Sequence, residues 1–136
     1  MKINYALVCR SLIALLFVVA GIQKLMNYSN TTSDFAGFGI PVPFLAVLIV
    51  IIIEIPVALA FAWGYKVKEA GYALIAFTAL ATILVHRDLA GAGGGLNMVM
   101  ALKNIAIIGG IMAAISCACG DCSVHAKKHA HHEPQA

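Results

Sequence analysis

Four long apolar stretches, separated by short polar connections, constrain this chain more than any other feature. They cover about residues 5–21, 44–65, 70–85 and 96–118 of the 136. A bilayer core about 30 Å thick needs roughly 20 apolar residues per helix at about 1.5 Å rise per residue. Only 11% of the residues are charged, whereas a soluble domain usually carries about 25%. The pattern predicts an all-α integral membrane protein, an antiparallel four-helix bundle embedded in the lipid bilayer.

The basic residues indicate orientation rather than nucleic-acid binding. They lie at the ends of the apolar stretches, are not gathered on one face, and belong to no recognisable nucleic-acid module. The side of the membrane that holds the N-terminus has six of them: Lys2, Arg10, Lys66, Lys68, Lys127 and Lys128. The other side has three: Lys24, Arg87 and Lys103. Under the positive-inside rule we expect a multi-pass protein with both termini in the cytoplasm.

The connections between the spans divide the chain into two regions. Residues 1–116 form the predicted transmembrane domain, and residues 117–136 form a Cys/His-rich, flexible cytoplasmic tail. Residues 27–43 are polar at first and then apolar, and we expect the apolar half to lie in the membrane interface as an amphipathic or re-entrant piece. The short turn at residues 66–69 predicts a helical hairpin. Pro56 predicts a kink in the second span, because proline removes one backbone hydrogen bond.

Ionisable residues inside the spans are the first candidates for a functional site. Such a residue costs a few kcal/mol at mid-depth on insertion scales. Glu54 lies about ten residues into the second span, roughly 15 Å deep, and Lys103 lies about seven residues into the fourth, roughly 10 Å deep. Lys24 and His86 close the outer ends of the first and third spans. With both termini inside, all four groups fall in the outer half of the bundle.

Helical spacing predicts that these groups meet at the bundle axis. Residues on one face recur every three or four positions. One face of the first span carries Arg10, Ala14, Phe17, Gly21 and Lys24; one face of the fourth carries Lys103, Ile107, Gly110, Ala114 and Cys117. The third span adds a stripe of Thr78, Thr82 and His86. We expect Glu54 to be within reach of Lys103 or Lys24, with Lys103 as its nearest cation.

Two interpretations of this cluster remain open. One is an ion pair that only fixes the register of the helices, because desolvation offsets much of the Coulomb gain of a buried pair. The other is a small polar cavity that opens outward and binds a ligand or passes protons, in which His86 changes charge near neutral pH. The candidate cavity residues are Lys24, Glu54, Thr82, His86, Lys103 and Asn104.

The ordered set of residues over positions 8–115 resembles the DoxX-like family of small membrane proteins. The first span contributes Arg10, Leu15, Leu16, Phe17, Ala20, Gly21 and Lys24. The outer loop and second span contribute Gly39, Ile40, Pro41, Glu54 and Gly64. The third and fourth spans contribute Phe77, Thr78, Ala81, Thr82, His86, Lys103, Asn104, Gly109 and Gly110. The chain departs from the family at residues 55–58, where relatives often have glycines, and at residues 65–66, where they usually have an arginine.

The resemblance implies a four-helix bundle in a bacterial or archaeal cytoplasmic (inner) membrane. It also implies that Lys24, Glu54, His86, Lys103 and Asn104 are among the family's typical polar positions. Some members look like membrane subunits of thiosulfate:quinone oxidoreduction, and others are tied to oxidative or thiol stress. A quinone or a small sulfur compound is therefore a possible ligand by resemblance.

The C-terminal tail carries a cluster of metal-binding residue types that the family pattern does not supply. Three cysteines within six residues and a histidine three positions further could bind a divalent or cuprous ion. These residues are Cys117, Cys119, Cys122 and His125. A thiol cluster kept reduced in the cytoplasm and a solvated histidine-rich tail are the competing interpretations.

Two functional hypotheses follow from the sequence. In the first, the chain is a redox-associated membrane subunit, and a soluble or membrane partner holds the electron-transfer cofactor. That partner is needed because the sequence has no haem-attachment, flavin or iron–sulfur motif. In the second, the chain is a non-enzymatic membrane scaffold or a metal-responsive protein that acts through its Cys/His tail.

Overall fold

The computed structural model describes residues 4–85 and 94–118, and this part of the chain is almost entirely helical. Its α-helices are α1 (Tyr5–Met26), α2 (Tyr28–Gly37), α3 (Pro43–Ile52), α4 (Ala58–Trp63), α5 (Val67–Val85) and α6 (Gly94–Ala118). A π-helical turn, Ile53–Val57, joins α3 to α4. Within the described residues there is no β-strand. The predicted all-α fold is confirmed.

Four of the helical segments are long and apolar enough to cross a membrane. They are Tyr5–Met26, Pro43–Trp63, Val67–Val85 and Gly94–Ala118, so that α3, the π-helical turn and α4 act as one span. Large apolar side chains are exposed at mid-helix, including Leu12 (63%), Ile83 (68%) and Ile105 (63%). An apolar surface this extensive requires lipid rather than water around it. The chain is therefore an integral membrane protein.

The four spans form an antiparallel ring in which each packs against its neighbours in sequence. α1 contacts α4 and α6, and α5 contacts α4 and α6. We call the end of the bundle where α1 ends the Lys24 end, and the opposite end the Arg10 end. The main core lies towards the Arg10 end and includes Phe61, Leu74 and Ile111, each fully buried. Tight packing there leaves the Lys24 end as the place where the spans enclose space.

The hairpin between the second and third spans is sharper than its sequence predicted. The turn consists of residues 64–66, and α5 begins directly after it at Val67. Gly64 has a left-handed backbone, with φ of 86°, which glycine adopts without steric cost. A Cβ at this position would lie 3.2 Å from Arg10 Nη2. The glycine thus both ends α4 and leaves space for the arginine of α1.

The connection between the first two spans folds into helix α2, which was not expected. α2 covers the polar half of this connection and the first three residues of its apolar half, because it ends at Gly37. The hydroxyl groups of Thr31, Thr32 and Ser33 donate to the backbone carbonyls four residues earlier, which satisfies these polar groups locally. The Tyr28 hydroxyl donates to the carbonyl oxygen of Phe44 at 2.6 Å and ties α2 to the start of α3.

Pro56 lies in the π-helical turn rather than at a simple kink. Proline has no backbone N–H and cannot complete an ordinary helical hydrogen bond. A π-helical turn joins residues five positions apart, which changes the direction of the side chains that follow it. Glu54 lies in the same turn and is 3% exposed. The irregularity therefore falls where the buried carboxylate enters the bundle.

Gly21 allows α1 to approach this turn closely. A Cβ at Gly21 would lie 2.6 Å from Ile55 Cγ1 and 3.0 Å from the Cβ of Glu54. Contacts this short do not occur between real side chains without a shift, so any larger residue would push the helices apart. Lys24 lies one turn further along the same face of α1. The glycine therefore sets the distance over which Lys24 reaches Glu54.

Candidate ligand-binding cavity

Lys24 and Glu54 form an ion pair inside the bundle. Lys24 Nζ donates to both carboxylate oxygens of Glu54, at 2.8 Å to Oε1 and 2.9 Å to Oε2. The Glu54 side chain is 4% exposed, and the Lys24 side chain is 25% exposed. Removing one member of a buried pair leaves the other charge unmatched, at a cost of about 3–5 kcal/mol. The pair therefore links the first and second spans at a fixed register.

A cavity of about 530 Å³ lies beside this ion pair at the Lys24 end. All four spans contribute to its walls, and α2 contributes Thr31, Asp34, Phe35 and Phe38. The charged side chains that line it are Lys24, Asp34, Glu54 and Lys103. Two ammonium groups and two carboxylates give the described part of this lining no formal net charge.

Two aromatic rings separate the cavity from the core. Phe17 of α1 and Phe77 of α5 both line the cavity and both pack with the core cluster. Their ring centroids are 6.4 Å apart and their planes are tilted by 59°, a favourable arrangement for two aromatic rings. The cavity thus combines a charged wall with an aromatic base.

Lys103 lines the cavity but does not pair with Glu54, which corrects the expectation that it would be the nearest cation. It is exposed, and its Nζ lies 3.4 Å from Met100 Sδ, a weak acceptor. The inward face of α6 is rotated from the predicted one, because Ile111, Ala114 and Ile115 are the buried residues there. Lys103 is therefore a cation at the cavity wall without an acidic partner among the described residues.

Asn104 is the polar residue of α6 that points inward. Its Nδ2 donates to Thr82 Oγ1 at 2.9 Å, and its side chain also lines the cavity. The hydroxyls of Thr82 and Thr78 donate to the carbonyl oxygens of Thr78 and Leu74, each at 2.7 Å. A short polar network therefore joins α5 to α6 at the cavity wall.

The structure brings together four of the six predicted cavity residues around one space: Lys24, Glu54, Lys103 and Asn104. Thr82 contacts the site through Asn104. His86 lies outside the described residues. Cavity residues that the sequence did not single out include Gln23, Asp34, Phe35 and Phe38. The spacing of Thr31, Asp34, Phe35 and Phe38 is helical, and could have indicated the amphipathic helix that carries most of them.

Three of the four residues of the predicted metal site, Cys119, Cys122 and His125, lie outside the described residues. Cys117 is within α6, is exposed, and is disulfide-bonded. A metal binds the thiolate, so Cys117 would have to be reduced before it could serve as a ligand. Within residues 4–85 and 94–118, no group of three His, Cys, Asp or Glu side chains could hold a metal ion.

We predict that Glu54 is energetically coupled to Lys24 and not to Lys103. Replacing both members of the pair, in Lys24→Met with Glu54→Gln, should cost at least about 1 kcal/mol less unfolding free energy than the sum of the single changes. The reason is that the double variant leaves no unmatched charge in the bundle. Reversible unfolding in mixed micelles measures the four free energies.

The matched control for this cycle replaces Lys103 instead. Lys103→Met combined with Glu54→Gln should be additive within about 0.5 kcal/mol. Additivity for Lys24 and Glu54, or strong coupling for Lys103 and Glu54, would contradict the geometry of the site.

Comparison with known proteins places this bundle in a family. The profile of the DoxX family matches residues 5–87, which include α1, Glu54 and all of α5. The inner membrane protein YphA of Escherichia coli is 29% identical over 108 residues, which is 78% of this chain and 77% of the relative. The inner membrane protein YqjF of the same organism is 32% identical over 109 residues, which is 78% of each chain. No solved structure matches the chain. This four-helix membrane protein belongs to the DoxX family.

Proposed function

We propose that this chain is an inner-membrane, redox-associated subunit that binds a quinone or a small sulfur compound in the cavity at the Lys24 end. The observation that carries the proposal is the cavity of about 530 Å³ beside a buried ion pair. An ionisable residue in a membrane span is costly and is usually retained for a function. The inner-membrane location is supported by the names of the two relatives.

The groups around the cavity match the chemistry of such ligands. Lys103 and Asn104 present N–H donors to the cavity, and the carbonyl oxygens of a quinone accept hydrogen bonds. The rings of Phe17 and Phe77 offer an apolar surface for a planar ring. A sulfur oxyanion would instead be attracted by Lys103, whose ammonium group has no acidic partner among the described residues.

Electron transfer in this proposal belongs to a partner protein. The sequence has no motif for haem, flavin or an iron–sulfur cluster, and the cavity supplies binding groups rather than a redox centre. The chain would position the ligand within the membrane, and a soluble or membrane-bound partner would carry the cofactor. In the competing proposal, the chain is a membrane scaffold with a metal-responsive element, which consists of Cys117, Cys119, Cys122 and His125.

Both termini lie in the cytoplasm in this proposal, with the Lys24 end and its cavity on the outer side. Arg10, Lys66 and Lys68 then lie at the cytoplasmic end, as the positive-inside rule requires. In a cysteine-free background, Ser29→Cys on α2 should react with a membrane-impermeant maleimide in spheroplasts, while Lys68→Cys should react only after lysis. Both positions are exposed. The reverse labelling pattern would invert the topology.

We predict that Glu54→Gln weakens quinone binding at least tenfold. The amide cannot hold the ammonium group of Lys24 as the carboxylate does, so the wall of the cavity that Lys24 and Glu54 form loses its fixed geometry. Calorimetry in nanodiscs, titrated with a ubiquinone analogue, measures the affinity. Glu69→Gln is the matched control, since Glu69 is exposed and lies at the opposite end of the bundle.

Deleting residues 119–136 separates the two proposals. The bundle proposal predicts unchanged quinone affinity in the truncated protein, because the cavity residues that the structure describes all lie before position 108. Absence of quinone and thiosulfate binding by both the wild type and Glu54→Gln would refute the bundle proposal. A metal-dependent response that disappears with the deletion would then favour the tail.

A further inference from the structure

A second concave surface lies next to the cavity, between the second and third spans. It is a groove of about 510 Å³, and every side chain that lines it is apolar. α3 contributes Ala46, Ile49 and Val50, and α5 contributes Ala73, Ala76 and Leu80. Ile49 is 50% exposed and Leu80 is 56% exposed. The groove therefore opens on the lipid-facing surface of the bundle.

The groove and the cavity adjoin each other. Five residues line both of them: Phe35, Val50, Phe77, Ala81 and Val85. These residues come from α2, α3 and α5, so the boundary runs along the gap between the second and third spans beneath α2. A ligand that occupies both spaces would therefore cross this shared boundary.

We propose that the ligand of the cavity is a membrane-soluble amphiphile that reaches its site from the bilayer, between α3 and α5. Its uncharged, hydrogen-bond-accepting head occupies the cavity, and its apolar chain lies in the groove. This inference rests on the proposed function and specifies the class of ligand. It selects a lipid-soluble quinone-like compound over a small water-soluble sulfur compound.

The charges of the cavity favour an uncharged head. Lys24 and Glu54 already neutralise each other at 2.8 Å, and Lys103 is balanced by Asp34 in the formal charge of the lining. A phosphate head would add negative charge to a described lining whose two ammonium groups are already matched in number by two carboxylates, and an uncompensated charge is unfavourable at the low dielectric of a membrane protein interior. A head with carbonyl or ether oxygens accepts hydrogen bonds from Lys103 and Asn104 without that penalty.

The shape of the groove favours an apolar chain. Ala73, Ala76 and Leu80 follow the spacing of one face of α5, and the two alanines leave the depth that a chain would fill. A water-soluble ligand would have no contact with this surface. A chain that left the cavity by this route would stay in contact with apolar side chains until it reached the lipid.

The test compares two quinones and three variants at alanine positions in the full-length protein. The probes are decylubiquinone and 2,3-dimethoxy-5-methyl-1,4-benzoquinone, which has the same head without the chain. Ala76→Phe fills the groove, and Ala106→Phe places the same ring on an exposed site of α6 that lines neither the groove nor the cavity. Ala73→Leu is a milder filling of the groove, in case Ala76→Phe prevents folding. Binding is measured in phosphatidylcholine nanodiscs.

We expect Ala76→Phe to weaken decylubiquinone binding at least tenfold and to have little effect on binding of the chainless quinone. Ala106→Phe should leave the binding of decylubiquinone unchanged. Comparing variants with one probe removes the effect of partitioning into lipid, because that effect is the same for each variant. Equal decylubiquinone affinity in the wild type, Ala76→Phe and Ala73→Leu would show that the groove does not bind the apolar chain. The proposal that the cavity binds the head would stay intact.

Two further outcomes complete the test. Absence of binding by both quinones would overturn this inference; absence of thiosulfate binding as well would overturn the proposed function. Displacement of decylubiquinone when phosphatidylglycerol replaces phosphatidylcholine would identify an anionic lipid as the occupant. That result would overturn the inference that the ligand has an uncharged head. Unchanged binding in the presence of phosphatidylglycerol supports it.

Discussion

The contact between Lys24 and Glu54 determines how the rest of this bundle is organised. A single carboxylate at the middle of a membrane span is costly, and Glu54 is almost fully buried. Lys24 satisfies both of its oxygens. That contact requires α1 to approach the π-helical turn closely, and Gly21 is the residue that permits the approach. The glycine, the irregular turn and the ion pair therefore act as one unit.

The ion pair also separates a packed half of the bundle from an open half. Towards the Arg10 end, apolar residues such as Phe61, Leu74 and Ile111 fill the space between the spans. Towards the Lys24 end, charged and amide side chains replace them, and charged groups cannot pack without polar partners. A cavity covered by α2 lies there instead. The same polar residues that make this end costly to bury give it the capacity to bind a ligand.

Hydropathy and helical spacing predicted much of this arrangement. The apolar stretches are long enough that the spans follow directly from bilayer thickness, and the buried face of α1 contains Ala14, Phe17 and Gly21, as its spacing predicted. Lys24 and Glu54 were identified because ionisable residues are rare inside a membrane span. These predictions succeeded because each depends on one span at a time.

Lys24 is one of the two partners that the sequence predicted for Glu54. The choice between Lys24 and Lys103 could not be predicted, because it depends on how the spans are rotated against each other. α6 is apolar on all sides, so its sequence does not show which face turns inward, and Lys103 and Asn104 differ by about 100° around the helix axis. α2 was missed because its polar sequence resembles a loop, although its hydroxyl groups bond to its own carbonyls. The apolar groove arises only from the gap between α3 and α5 in the folded bundle, which no single stretch of sequence encodes.

The infrared spectrum of Glu54 tests the central claim most directly. The difference between the spectra of the wild type and Glu54→Gln, recorded in lipid at neutral pH, isolates the vibrations of this one side chain. If Glu54 pairs with Lys24, the wild type should show the antisymmetric stretch of an ionised carboxylate. In Lys24→Met this band should be replaced by the carbonyl stretch of a protonated acid. A protonated acid in the wild type, unchanged by Lys24→Met, would contradict the ion pair and the cavity built around it.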